Sequence, residues 1–430
     1  MQPKEIFLSI IYLSEFYMIN FEKFTLKNGL RVIVHHDEST PIVAINVLYN
    51  VGARDEDHSK TGFAHLFEHL MFGGSVNIPK YDEPLEKAGG ENNAFTNNDI
   101  TNYYLTLPVQ NIETGFWLES DRMFQLAFSE KSLDVQRNVV TEEFRQTHLN
   151  QPYGDVWLLL RPLAYKVHPY QWSTIGKEIS HIQNAVMDDV KAFYKKFYNP
   201  NNAILVVAGN VETAEIKILA EKWFGPIQND GENQRNIPKE PPQTEARLLV
   251  TENNVPLDAI YKAWHMCGRM DAAYHPTDLL SDILSNGNSS RLYNELVKNK
   301  KLFSDLNAYI LGSSDEGLFV VSGKLVKGVK LEDADAAIIE ELDKMKNDEI
   351  DERELQKVKN KIEANLEFSE MNVLEKAMNL AFAELMGNAA DVNEEGKKYQ
   401  AVTAEQIRET ARQVLRPENC STLYYKSQKL

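Results

Sequence analysis

The stretch Gly62-Phe63-Ala64-His65-Leu66-Phe67-Glu68-His69-Leu70-Met71-Phe72 sets two imidazoles and a carboxylate in an otherwise apolar run. On a helix, residues four apart share a face, so His65 and His69 can offer two ring nitrogens to one ion at about 2.0–2.1 Å. Glu68 stands nearly a turn on from His65. Its carboxylate can reach a water on the open side of the metal without being a ligand, which is what a general base for hydrolysis requires. An ordinary amphipathic helix could show the same spacing, yet two His and a Glu among Ala64, Leu66, Phe67, Leu70 and Met71 are costly to bury unpaired.

A catalytic zinc site wants a third protein ligand and an open fourth position. The predicted helix from Ser132 to His148 supplies a carboxylate. Its apolar stripe is read through Leu133, Val139, Val140 and Phe144, and Glu143, four and three residues on from the two valines, points toward the fold. Glu142 is the competitor, nearer the polar side with Asn138 and Arg145. The inward Glu143 is preferred, because an exposed Glu needs no explanation and an inward one does.

The chain has 430 residues, 43% of them apolar, which is ample for two packed domains. A formal charge of -17 argues against nucleic acid or an acidic membrane as partner. Cys267 and Cys420 are the two cysteines, so there is neither a disulfide framework nor a four-cysteine zinc site, and a metal must sit on His and carboxylates. The apolar run Ile6 to Leu13 lies between Lys4-Glu5 and Glu15, without the flanks of an export signal. No uncharged apolar stretch is long enough to span a membrane. The expectation is a soluble, cytoplasmic chain whose residues 1–18 are an extension of doubtful structure.

Residues 229–243 crowd Asp, Gly, Asn, Gln, Lys, Glu and Pro without apolar periodicity, as linkers do. They divide a metal-binding domain, 19–228, from a second domain, 244–430. The halves resemble each other: at one constant offset Val190, Phe197, Pro200 and Asn202 recur as Ile407, Val414, Pro417 and Asn419. Strands such as 30–35 and 42–49 group together, and so do helical patterns such as 186–198 and 352–386. The predicted class is therefore α+β, two homologous domains, each a mainly antiparallel sheet with helices packed on one face. In the second half Asp278, Ser281 and Asp282 align with His65, Glu68 and His69, so no imidazole remains there. The acidic stretch 331–354 reads as an exposed helical face.

His65-Leu66-Phe67-Glu68-His69, followed far downstream by Val139-Val140-Thr141-Glu142-Glu143, resembles the pitrilysin, insulin-degrading and mitochondrial-processing peptidase family of inverted zincins. Gly89-Gly90-Glu91-Asn92-Asn93-Ala94-Phe95-Thr96 resembles the family's substrate-pairing strand, and His168-Pro169-Tyr170 through Ile175-Gly176 a further family segment. The resemblance implies one zinc ion per chain on His65, His69 and Glu143, with Glu68 as base, in an endopeptidase that is one half of a clamshell. It also implies that an extended peptide pairs with Asn92, Asn93, Ala94, Phe95 and Thr96, as a peptide can on any open sheet edge. The family often carries a second Glu seven residues before the ligand Glu. Here that position is Gln136, which can hydrogen-bond a ligand but adds no charge. The family's facing half contributes an Arg and a Tyr to the oxyanion; the corresponding stretch 303–323 holds Tyr309 but no Arg or Lys. A dimer is expected, either with a zinc-free homologous chain that supplies the Arg or with a second copy using Arg291 or Lys324. The alternatives are a non-catalytic, peptide-binding subunit of this family and a hydrolase of non-peptide amides.

Overall fold

A computed structural model describes residues 18–229 and 235–428. All but Met18 of the expected N-terminal extension, and residues 230–234 of the expected linker, lie outside the described residues. Six strands form the first sheet: β1 (Glu22–Thr25), β2 (Arg31–His36), β3 (Ile42–Tyr49), β4 (Glu91–Thr96), β5 (Thr101–Pro108) and β6 (Ala203–Gly209), in the order β1-β2-β6-β3-β5-β4. Five form the second: β7 (Arg247–Asn253), β8 (Ala259–His265), β9 (Phe303–Leu311), β10 (Leu318–Leu325) and β11 (Cys420–Ser427), in the order β7-β11-β8-β10-β9. In each sheet one pair is parallel, β2 with β6 and β7 with β11, and the other pairs are antiparallel. The second sheet thus repeats the first without β1.

The repeat extends to single hydrogen bonds. Asn202 Nδ2 donates to the carbonyls of Phe197 (2.8 Å) and Asn50 (3.0 Å), and Asn419 Nδ2 donates to those of Val414 (2.8 Å) and His265 (2.9 Å). In both halves one buried amide ties a helix C-terminus to the end of the neighbouring strand. This is a physical reason for Asn at both repeat positions.

The helices that position the site and the cores are α1 (Phe63–Leu70), α2 (Glu130–Phe144), α3 (Val156–Ala164), α4 (Met187–Phe197), α5 (Tyr274–Ser285), α6 (Leu331–Asn347), α7 (Glu352–Ser369), α8 (Val373–Met386) and α9 (Ala404–Val414). One face of the first sheet, with Val32, Val43, Ile45, Val47, Leu205 and Val207, packs against α1, α2 and α4. One face of the second, with Ile260, Trp264, Phe319 and Val321, packs against α5, α6 and α9. To this extent each half carries its helices on one face, as expected. The other faces are closed by exchange. Ile33, Ala44, Leu48, Ile204 and Val206 meet Ala377, Leu380 and Ala381 of α8, which comes from the second half. Ala263, Leu318, Val320 and Leu423 meet Val156, Leu160 and Ala164 of α3, from the first half. Burial on both faces is why β6, Ala-Ile-Leu-Val-Val-Ala-Gly, is a continuous apolar run and not an alternating one.

The exchange corrects one sequence expectation. The single helical pattern 352–386 is two helices, broken where the side chain of Asn372 accepts from the Leu374 amide (2.9 Å) and starts α8. Helix α7 buries Leu355 and Val358 in the second core, whereas α8 has to cross to the first sheet. The acidic helix α6 is amphipathic: Leu331, Ala334, Ile338 and Leu342 are buried and most of its carboxylates face outward. Among the described residues no helix is long and apolar enough to cross a membrane.

Candidate metal centre

Helix α1 buries Phe63, Ala64, Leu66, Phe67 and Leu70, with the Phe67 ring stacked on Tyr198 at 5.1 Å. Its opposite side leaves His65, Glu68 and His69 half-buried. Helix α2 starts at Ser129, whose hydroxyl accepts from the Ser132 amide (3.1 Å), and buries Leu133, Val140, Thr141 and Phe144. Val139 does not belong to the stripe. It is 44% exposed, because the buried arc is centred on Val140 and Phe144 and the residue before Val140 turns to solvent. Glu143, one turn on from Val140, faces α1. A π-helical turn, Arg145–Leu149, follows directly.

The two helices bring three ligand groups together. His65 Nε2 and His69 Nε2 are 3.4 Å apart, His65 Nε2 lies 3.7 Å from Glu143 Oε1, and His69 Nε2 lies 3.5 Å from Glu143 Oε2. Ligands about 2.0–2.1 Å from a tetrahedral zinc ion lie about 3.3 Å from one another. Each imidazole is near that spacing from a different Glu143 oxygen, and with one atom per residue the three lie within 4.8 Å of one another, so the trio can close on such an ion by a small side-chain adjustment. No other cluster of three His, Cys, Asp or Glu groups among the described residues converges in this way. Burial pushes the His65 imidazole down to about 4, which keeps it neutral and able to ligate near pH 7. A hydrogen bond with His69 holds Glu143 below the ordinary carboxyl range, against the effect of its burial. Glu142, by contrast, points outward to Arg145 (3.4 Å) and Gln146 (3.3 Å).

Glu68 stands beside the trio. Burial raises its carboxyl above the usual value, while the Thr96 hydroxyl, donating to Oε2 at 2.6 Å, pulls it back. That contact joins residues 28 apart in the chain; the sequence places Thr96 in the substrate-pairing strand but gives no sign of its bond to Glu68. Strand β4 is an edge of its sheet, with side chains alternately exposed and half-buried. Asn92 donates to Asp82 (2.9 Å), the Asn93 side-chain carbonyl accepts from the Ala94 amide (2.8 Å), and Phe95 is exposed. An Ala94 amide met by a side chain rather than by β5 faces the open edge. Gln136 is half-buried on α2, two turns before Glu143.

The corresponding positions of the second half do other work. Asp278 accepts from the Tyr399 hydroxyl (2.6 Å), Asp282 from Asn286 (2.6 Å), and Ser281 bonds the Asp278 carbonyl (2.8 Å). Tyr309 lies on β9, Lys324 is 3.9 Å from Asp305, and Arg291 is held by both oxygens of Glu354.

The sequence model described as Insulinase (Peptidase family M16) matches residues 31–176, and that described as Peptidase M16 inactive domain matches residues 184–362. The zinc protease PqqE of Helicobacter pylori is 34% identical over 353 residues, which are 80% of this chain and 78% of that protein. A crystal structure of a protease from Helicobacter pylori superposes with a TM-score of 0.90 at 30% identity, over 95% of this chain and 100% of the other. The crystal structure of pitrilysin shares the fold, with a TM-score of 0.76 at 18% identity; 96% of this chain covers 45% of that one. Fold, repeat and sequence agree: the chain belongs to the insulinase, or pitrilysin, family of peptidases, family M16.

Proposed function

We propose that this chain is a zinc-dependent endopeptidase in which His65, His69 and Glu143 hold one zinc ion and Glu68 is the general base. The observation that supports it best is the convergence of His65, His69 and Glu143, whose nearest polar atoms are 3.4–3.7 Å apart, beside a carboxylate that is not one of them. Zinc bound there would supply Lewis acidity, polarising the scissile carbonyl and acidifying a water. Glu68 takes the proton of the attacking water and returns it to the leaving amine. Thr96 occupies Oε2 of Glu68 and so orients the other oxygen toward the reaction. An extended peptide adds to the open edge of β4, taking the Ala94 amide from the Asn93 side chain; since β4 ends at Thr96, the peptide runs alongside Glu68.

Because this chain matches about half of pitrilysin, a second chain of similar fold would complete a closed chamber. Arg291, engaged by Glu354, is a poor source of an oxyanion cation in a homodimer, and this favours a zinc-free partner that brings its own. The decisive experiment is Glu68→Gln: the variant keeps about one zinc per chain and loses about 10²–10⁴-fold in peptide hydrolysis. Loss of zinc would move Glu68 into the ligand set. Hydrolysis absent from the zinc-loaded wild type, alone and with its partner, would leave the non-catalytic subunit reading.

A further inference from the structure

Helix α1 has eight residues and begins at Gly62, which has no side chain to satisfy the first amides. Those donors are met from outside the helix. Glu56, buried at 8% exposure, accepts from the Gly62 amide with Oε2 (2.9 Å) and from the Ala64 amide with Oε1 (2.8 Å). Burial pushes the Glu56 carboxyl up to about 8 and the two amides oppose that shift, so it is the pair of accepting oxygens that matters at this helix end.

The other side of the same two residues is gripped by the segment that ends at Ile175-Gly176. Gly62 (φ 89) approaches so closely that a Cβ there would meet the Ile175 carbonyl oxygen at 2.6 Å. A Cβ on Gly176 (φ 105) would meet the Thr61 carbonyl oxygen at 3.0 Å. The Thr61 hydroxyl accepts from the Lys177 amide (2.8 Å). Above Glu56, Trp172 Nε1 donates to the Ala53 carbonyl (3.0 Å) and holds the preceding turn in place. Thr61 and Gly62 are therefore clamped between a buried carboxylate and a glycine turn, and His65 follows three residues later.

We infer that Glu56 is a positioning residue for the metal centre: by capping Gly62 and Ala64 with its two oxygens it sets the rotation and height of α1, and with them the placement of His65, Glu68 and His69 opposite Glu143. The inference rests on the zinc-site reading above. A helix of two turns has little stability of its own, so its exact placement is decided by its cap and its packing. Ligand distances at a zinc site tolerate only about 0.2 Å. A small rotation of α1 thus weakens metal binding before it unfolds the chain.

The test uses the full chain with Glu56→Gln and Glu56→Asp, and reads three quantities: the zinc dissociation constant by chelator competition, amide hydrogen exchange at Gly62 to Phe67, and kcat and KM. For Glu56→Gln we expect zinc affinity to fall about 10–100-fold, the range seen when groups that orient metal ligands are removed. Exchange at Gly62 and Ala64 accelerates, α2 amides are unchanged, and kcat falls more than KM rises. Glu56→Asp, which keeps the carboxylate on a shorter arm, recovers part of each; should the Gln variant not fold, the Asp variant carries the same measurements, with a smaller loss expected. Unchanged zinc affinity overturns the inference, even with a lowered melting temperature, because a merely structural carboxylate would lower stability alone. A wild-type chain that binds no zinc would refute the zinc reading. The exchange measurement then decides the capping role: unaltered protection at Gly62 and Ala64 rejects it and faster exchange supports it.

Discussion

Replacing Thr96 by Val removes the hydroxyl that donates to Glu68 Oε2 at 2.6 Å and leaves the shape of the side chain nearly unchanged. A hydrogen bond to an ionised carboxylate contributes about 1.5–3 kcal/mol net. If all of it served to hold the base in its reactive orientation, the cost in kcat would be about 10–150-fold at 1.36 kcal/mol per decade. Glu68 is only half-buried, so water can take over part of the donor's role, and the expected loss is at the lower end, about 10-fold. The pH profile moves as well. Burial raises the Glu68 carboxyl and Thr96 lowers it, so the variant's base is protonated at a higher pH and the acid limb of kcat shifts upward. Zinc content should stay near one per chain, since none of the three ligand side chains is altered, and Thr96→Ser should return most of the rate. Hydrolysis of an internally quenched peptide from pH 5 to 9, with zinc measured on the same samples, tests all three statements. An unchanged kcat and an unchanged acid limb would refute the reasoning.

Glu143→Ala should lose tight zinc binding and hydrolysis while remaining folded, whereas Glu142→Ala should keep both; metal analysis of the two purified variants would reverse the assignment if the pattern were inverted. Arg122 is fully buried, forked onto Glu119 at 2.6 and 2.9 Å, and lies over the Tyr103 and Tyr81 rings at 4.3 and 4.7 Å. Arg122→Leu leaves the buried Glu119 carboxylate with the Tyr81 hydroxyl but without its counter-charge and should cost about 3–5 kcal/mol by denaturant unfolding, and a loss below about 1 kcal/mol would contradict this. Glu395 is pulled from an ordinary value of about 4.5 to about 2: burial alone would raise it, but His275 (3.1 Å) and the Arg269 guanidinium lower it further. A carboxyl depressed on folding contributes stability above its unfolded pKa and loses that contribution as the pH falls through its folded one. Glu395→Gln should therefore cost about 2 kcal/mol near pH 7, allowing for solvent screening, and almost nothing at pH 2. A pH-independent difference between variant and wild type would reject that account.

The sequence by itself determined what depends on neighbours along the chain. The histidines share a helix face because they are four residues apart. Strand β3 runs Ile42–Tyr49, as its composition predicted. The repeated Asn202 and Asn419 close the same helix end in both halves. Periodicity tells which face of an element is apolar, but it does not name the element that covers it. Only the tertiary structure decided that α8 crosses to the first sheet and α3 to the second, which splits the apparent helix 352–386 at Asn372. It likewise turned Val139 outward, put the Thr96 hydroxyl on Glu68, and set Glu56 under the first amides of α1. These contacts join residues from different elements. Their partners are chosen by how sheets and helices pack, a long-range outcome that no local pattern of residue types encodes.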